Sequence, residues 1–280
     1  MLCPGFPDPQ FFFFSSEAPP LLYYSHIPTA IIALLIGAFV YLNNRGMLAA
    51  RLLFSISVAF LFWVLCDLVT WVSNDSDIIF FVWSFFGILY ALISLLSVYF
   101  VYAFLDKGDA SWKVKLGLGI LFLPIVLLTP TAYNLATFSL VDCGIPNEGF
   151  YFTNYYYLVG FIAFFWILFL IFSRIRQGGL ARDMKRQLLF FGFGIEFFLL
   201  SFFVSGFLAS FLVDQGLVSD FGLEMYGLFG MPVFIGLLGY LMVRYQAFNV
   251  KVLAVQALVI GLAILIGSQL FFVKSQINFV

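Results

Sequence analysis

The sequence predicts an all-α polytopic membrane helix bundle of about eight transmembrane helices with its N-terminus outside, and three observations carry that prediction. Hydrophobic residues make up 64% of the chain and charged residues 10%, against about 45–50% and about 25% in soluble domains. Apolar runs at about 27–43, 51–73, 78–105, 114–131, 152–173, 188–213, 221–243 and 252–273 are each near or above the ~20 residues that cross hydrocarbon as a helix. Twelve of the thirteen Lys and Arg residues fall in every second gap between those runs, the charge asymmetry that orients spans in a membrane.

The gaps alternate in order along the chain. The segment before the first span carries Asp8 and Glu17 and no base, and the first gap carries Arg45 and Arg51. The second, Ser73-Asn74-Asp75-Ser76-Asp77, is acidic, and the third carries Lys107, Lys113 and Lys115. The fourth has Asp142 and Glu148, and the fifth has Arg174, Arg176, Arg182, Lys185 and Arg186. The sixth has Asp214, Asp220 and, at its edge, Glu224, and the seventh has Arg244 and Lys251. The odd gaps are therefore predicted to be cytoplasmic and the even gaps extracytoplasmic. The tail from Lys274 to Val280 then falls outside, and the expectation is that it turns into a ninth span leading to a cytoplasmic domain.

Three segments follow. Residues 1–26 form an extracytoplasmic or interfacial aromatic segment, with Phe11 to Phe14, Tyr23 and Tyr24 suited to the membrane–water boundary. Residues 27–250 form a seven-span bundle, with Pro28 expected in the first turn of the first span, where a missing N–H costs little. Residues 251–280 hold the eighth span and its exterior turn. The fourth gap, 132–151, is the longest outer loop, so no soluble extracytoplasmic ligand domain is expected.

Ionisable groups well inside the runs are rare and therefore informative. Asp67 lies two turns from the outer end of the second span, and Glu196 lies near mid-depth in the sixth. Each reads as a candidate intramembrane polar site, or else as a protonated carboxyl hydrogen-bonded to a Ser or Thr of a neighbouring helix. With no Lys or Arg in any span, neither is expected to have a buried ion-pair partner. His26, the one histidine, is placed at the outer edge of the first span as an interfacial hydrogen-bonding group that can also sense pH. Ser201 and Ser205, then Gly206 and Ser210, have small-xxx-small spacing in the sixth span, and Gly227, Gly230, Gly236 and Gly239 stud the seventh, a composition that allows close helix packing. Pro232 is expected to kink that span, and the pair reads as either tight packing or a movable, signal-carrying unit.

Several function classes are excluded. A retinal Schiff base needs a lysine inside a span. No phosphate-binding glycine–lysine loop, paired-histidine zinc motif or Cys/His cluster occurs, so no cofactor or metal is implied. No basic patch suggests nucleic acid. Cys3 and Cys143 share a predicted outer compartment, which permits a disulfide between them without specifying one.

The run Tyr240-Leu241-Met242-Val243-Arg244-Tyr245-Gln246-Ala247-Phe248-Asn249-Val250-Lys251-Val252 resembles the junction after the seventh span in the multi-span N-terminal sensor region of bacterial histidine kinases. Tyr23-Tyr24-Ser25-His26-Ile27-Pro28 and the second span with Trp63, Asp67 and Trp71 are also similar to such proteins. The resemblance implies a sensor in the cytoplasmic (inner) membrane, working in a two-component system with an unidentified stimulus, as a homodimer, and joined to a cytoplasmic output domain. It makes Pro232, Arg244, Phe248 and Asn249 candidates for signal transmission. The departure from the family is plain: His26 lies outside, and no ATP-binding glycine boxes occur, so these residues hold no kinase. The other reading is a small-solute or proton-coupled transporter using Glu196 and Asp67. A lipid-modifying enzyme is a third class, disfavoured because no paired His, Asp or Cys marks the cytoplasmic face.

Overall fold

Prolines and polar residues decide where the apolar runs become helices. The computed structural model describes residues 14–15, 18–138, 146–177, 181–218 and 221–245. Helix α1 spans Pro20–Asn43 and α2 spans Leu48–Val72. Helix α1 begins well before the predicted 27, because Pro20 occupies its first turn, the position where proline costs no hydrogen bond. Leu22, Ser25 and His26 are then carried inward as buried helix residues rather than lying in an interfacial tail. Pro28 is thereby moved from the first turn to the helix interior.

The predicted third span is two helices, α3 (Ser76–Trp83) and α4 (Phe86–Asp106). Asp75 caps α3 by accepting from the Asp77 and Ile78 backbone N–H groups. At the break, Ser84 Oγ donates to the Phe81 carbonyl at 2.6 Å, and the Ser84 carbonyl accepts from Asn134 Nδ2 at 2.9 Å. These bonds occupy backbone groups that a continuous helix would have satisfied itself. Helix α5 covers Trp112–Leu128, with Pro124 inside it. Strands β1 (Leu135–Phe138) and β2 (Pro146–Glu148) form an antiparallel hairpin in the long loop, with Leu135 opposite Glu148 and Thr137 opposite Asn147. Helices α6 (Phe150–Arg176), α7 (Arg182–Asp214), α8 (Glu224–Gly227) and α9 (Gly230–Tyr245) complete the described chain. Pro232 falls in the first turn of α9, just after the chain breaks at Leu228 and Phe229, so it restarts a helix rather than kinking one.

Among the described residues, six helical segments are long and apolar enough to cross a membrane: α1, α2, α3–α4, α6, α7 and α8–α9. The fourth predicted span, α5, is a helix of 17 residues and falls short of that length. The eighth, 252–273, lies outside the described residues, as do Cys3, Cys143, Phe248 and Asn249.

The spanning segments close into a ring, in which α1 packs on α2, α2 on α4, α4 on α6, α6 on α7, α7 on α9, and α9 back on α1. Helix α5 lies outside it against α4 and α6. Aromatic side chains fill the middle, where facing helices are too far apart for smaller residues to meet. Phe60 of α2 reaches Phe198 and Phe202 of α7 with ring centroids 5.8 Å apart, and Phe104 of α4 stacks on Phe191 of α7 at 3.9 Å. Around the ring, glycines bring backbones together. A Cβ on Gly227 would lie 1.8 Å from Ser205 Oγ, and one on Gly230 would lie 1.7 Å from Ser201 Oγ. The spacing of small residues in the sequence is thus realised as contact between α7 and the α8–α9 segment.

The outer surface is apolar along the helices. Leu158, Phe161, Phe165, Phe169 and Phe172 make an exposed stripe on α6, and Phe193, Leu200 and Val204 do the same on α7. So large an exposed apolar surface suits hydrocarbon rather than water, and the architecture is that of a multi-pass membrane protein.

The two ends of the bundle differ in charge. At the basic end, Arg174 of α6 pairs with Asp106 at the close of α4 and also donates to the Leu105 carbonyl. Lys107 takes a left-handed conformation (φ 50°) to end α4. Just beyond it, Lys115 Nζ lies 2.6 Å from Asp109 Oδ2, and the Tyr99 O–H donates to the other oxygen. The Lys115 ammonium and the Tyr99 hydroxyl hold the Asp109 carboxyl below the usual carboxylate range. At the hairpin end, the Gly149 N–H donates to the Asn134 carbonyl at 2.8 Å. A Cβ on Gly149 would lie 1.7 Å from the Tyr133 carbonyl oxygen, so only glycine fits where the hairpin meets α6.

Candidate functional site

Most of the polar side chains buried in the bundle gather at the hairpin end. Antiparallel packing of α1 on α2 creates the first pair. His26 precedes the last residue of α1 by 17 positions and Asp67 follows the first residue of α2 by 19, so at ~1.5 Å per residue both stand about 26–29 Å from the connecting turn. His26 Nε2 lies 2.6 Å from Asp67 Oδ2. The histidine is fully buried and Asp67 is 6% exposed.

The other face of the imidazole fixes its tautomer. His26 Nδ1 lies 2.7 Å from the Leu22 carbonyl oxygen, which can only accept, so Nδ1 carries a hydrogen. Ser25 Oγ, 2.9 Å from Nδ1, donates its own hydrogen to the same carbonyl. The contact between Nε2 and Oδ2 then holds one shared proton, as imidazole with carboxylic acid or as imidazolium with carboxylate.

A second pair sits beside the first. The Tyr90 O–H of α4 donates to Glu224 Oε1 at the start of α8. Gly206 of α7 makes room for it, since a Cβ there would lie 2.5 Å from the Tyr90 hydroxyl oxygen and 3.0 Å from Glu224 Oε1. Tyr90 is walled by Trp63, Tyr156 and Phe202, with ring centroids 5.5, 5.8 and 4.7 Å away. The Glu224 carboxyl is within electrostatic reach of both Asp67 and Glu148. Glu148, closing β2, accepts from Trp83 Nε1 at 2.6 Å, Thr153 Oγ1 at 2.7 Å and the Tyr156 O–H at 3.3 Å. Three carboxyls and one histidine are thus linked across α1, α2, α4, α6, α8 and the hairpin. Among the described residues, every Lys and Arg lies toward the other end of its helix or in the connections there.

Glu196 stands apart. It lies ten residues before Gly206 on α7, about 15 Å along the axis at ~1.5 Å per residue. It is 8% exposed, and neither carboxyl oxygen has a hydrogen-bond partner among the described residues. It shares a helix face with Gly192 and Phe203, which meet Ile171 and Gly160 of α6. Asp67 and Glu196 therefore do not form one site.

The expectation that Asp67 lacks a buried ionic partner considered only Lys and Arg, and the partner is the histidine that had been placed at the interface. Equal distance from the α1–α2 turn was a signal in the sequence that could have joined the two. Glu224 and Tyr90 had no such signal, because their meeting depends on α4, α7 and α8 converging. Arg244 lies in the last turn of α9. The chain matches no family model, no curated protein and no solved structure.

Proposed function

We propose that the chain is the membrane-embedded sensing and signal-transmitting region of a bacterial histidine kinase or similar receptor. The hairpin end faces outward and the basic end faces the cytoplasm, as the segregation of Lys and Arg favours. The observation that carries this reading is the placement of Glu224. It begins the α8–α9 segment, touches the polar cluster through Tyr90, and continues in one direction to Arg244, where the sequence resembles the sensor–output junction.

A stimulus acting on the cluster would bias the packing of α8–α9 against α7, where Gly227 and Gly230 ride directly on Ser205 and Ser201. Such a contact admits discrete packings rather than gradual ones, and a stimulus acts by binding one packing better than the other. Lipid surrounds the bundle, and a homodimer joined to a cytoplasmic output domain is the assembly this reading requires.

The test is ATP-dependent autophosphorylation of the full-length gene product in membrane vesicles, with wild type beside Tyr90→Phe. The reading expects histidine-type phosphate whose level changes in the variant, and absence of phosphorylation in a folded wild-type protein overturns it. A second reading, proton-coupled transport, rests on the unpartnered Glu196 carboxyl inside the bundle. Proton-driven solute uptake abolished by Glu196→Gln would favour it.

A further inference from the structure

We propose that the hairpin end is a proton-binding site and that the proton is the ligand to which the bundle responds; the response rests on the sensor function proposed for the chain, whereas the site does not. Its seat is the contact between His26 Nε2 and Asp67 Oδ2, and its neighbour is the Glu224–Tyr90 pair.

The number of protons shared among the buried groups sets the charge of the site. His26 is held from behind by the Leu22 carbonyl, so Nδ1 keeps its hydrogen and only Nε2 is left to titrate. Facing it is Asp67 of α2, which is within electrostatic reach of Cys66 on its own helix and of Glu224 on α8, while Tyr23 and Tyr24 precede His26 on α1. Helix α9, also packed on α1, brings no carboxyl. Behind Glu224 stand Tyr90 of α4, Tyr156 and Tyr157 of α6, and Glu148 of the hairpin.

With one proton between Nε2 and Oδ2, the His26–Asp67 pair is neutral overall. Loss of that proton leaves a bare carboxylate beside Glu224, in a region where no Lys or Arg among the described residues can offset it. Gain of a second proton leaves a cationic imidazolium facing a neutral acid. Either step places an unbalanced charge in a water-poor setting, where like charges repel strongly. The groups concerned are carried on α1, α2, α4 and α8, so the helices whose contacts change are those that surround the site. An exposed histidine would titrate with no such consequence.

His26 is the one histidine in the chain, so uniform labelling with nitrogen-15 histidine reports this site alone. The experiment is solid-state NMR of the full 280-residue chain, purified without a polyhistidine tag and reconstituted in phosphatidylcholine vesicles, from about pH 4 to about pH 9, the range that brackets histidine titration. The expected spectrum shows Nδ1 protonated throughout and Nε2 passing from protonated to bare as pH rises. Asp67→Asn should move the midpoint, because the carboxylate facing Nε2 is removed, and Glu224→Gln should move it by less. A spectrum unchanged over the whole range, a bare Nδ1, or an Asp67→Asn midpoint equal to wild type would each overturn the proposal. The readout needs no kinase, so absent phosphorylation removes the sensor reading and leaves this site standing, while a silent spectrum does the reverse.

Discussion

His26 and Asp67 join α1 to α2 through a 2.6 Å contact between Nε2 and Oδ2, and both residues are buried. Removing one partner from such a pair strands the other without solvent, which costs about 3–5 kcal/mol. Asp67→Ala should therefore lower the thermal midpoint of the detergent-solubilised protein markedly. Asp67→Asn, which keeps an oxygen and an N–H to face Nε2, should cost clearly less. Equal losses for the two would show that packing volume, and not the hydrogen bond, is what Asp67 provides.

Tyr90→Phe deletes the donor to Glu224 while keeping the ring against Trp63, Tyr156 and Phe202. Leaving a buried acceptor unmatched costs about 1–3 kcal/mol. Combining it with Glu224→Gln in a double-mutant cycle should give an interaction energy well above experimental error, because the two side chains share one bond. Strict additivity of the two losses would place them out of contact.

Gly206→Ala should imitate Tyr90→Phe without substituting either partner, since the new methyl would sit 2.5 Å from the Tyr90 hydroxyl oxygen and crowd the bond. Gly230→Ala collides instead with Ser201 Oγ at 1.7 Å. Adding Ser201→Gly should recover part of the Gly230→Ala loss and none of the Gly206→Ala loss. Thermal midpoints of the four proteins check both statements.

Glu196 buries a carboxyl that no neighbour among the described residues satisfies. Replacing a buried, unmatched polar group with an apolar one of similar volume removes a desolvation penalty of about 1–3 kcal/mol. Glu196→Leu should accordingly raise the thermal midpoint, and a fall would reveal a partner for the carboxyl in the membrane.

Asp109 offers a pH test outside the spanning segments. Its carboxyl is held below the usual range by Lys115 and Tyr99. A depressed folded-state pKa contributes stability that is present above the unfolded value and is lost as pH falls through the folded one. Lys115→Met should raise the Asp109 pKa, seen by carbon-13 carboxyl NMR, with little change in stability at neutral pH because the pair is exposed.

The sequence by itself determined the membrane class, because apolar run length and the side on which cations gather are one-dimensional quantities set by the bilayer. Six spanning segments appear among the described residues close to their predicted places. The small-residue spacing of Ser201 and Ser205 also pointed to the close contact made with Gly230 and Gly227. Helix ends were less legible. Pro20 nucleated α1 earlier than its apolar pattern suggested, and Ser84 divided the third span where Asn134, fifty residues on, could take the Ser84 carbonyl.

Tertiary structure alone decided the site. A polar residue within an apolar run announces a cost, but its partner lies on another helix, and pairing depends on rotation about each axis as well as depth. That is why Asp67 met the histidine placed at the interface, why Glu224 met Tyr90 over a glycine on a third helix, and why Glu196, equally conspicuous in the sequence, met no hydrogen-bond partner among the described residues.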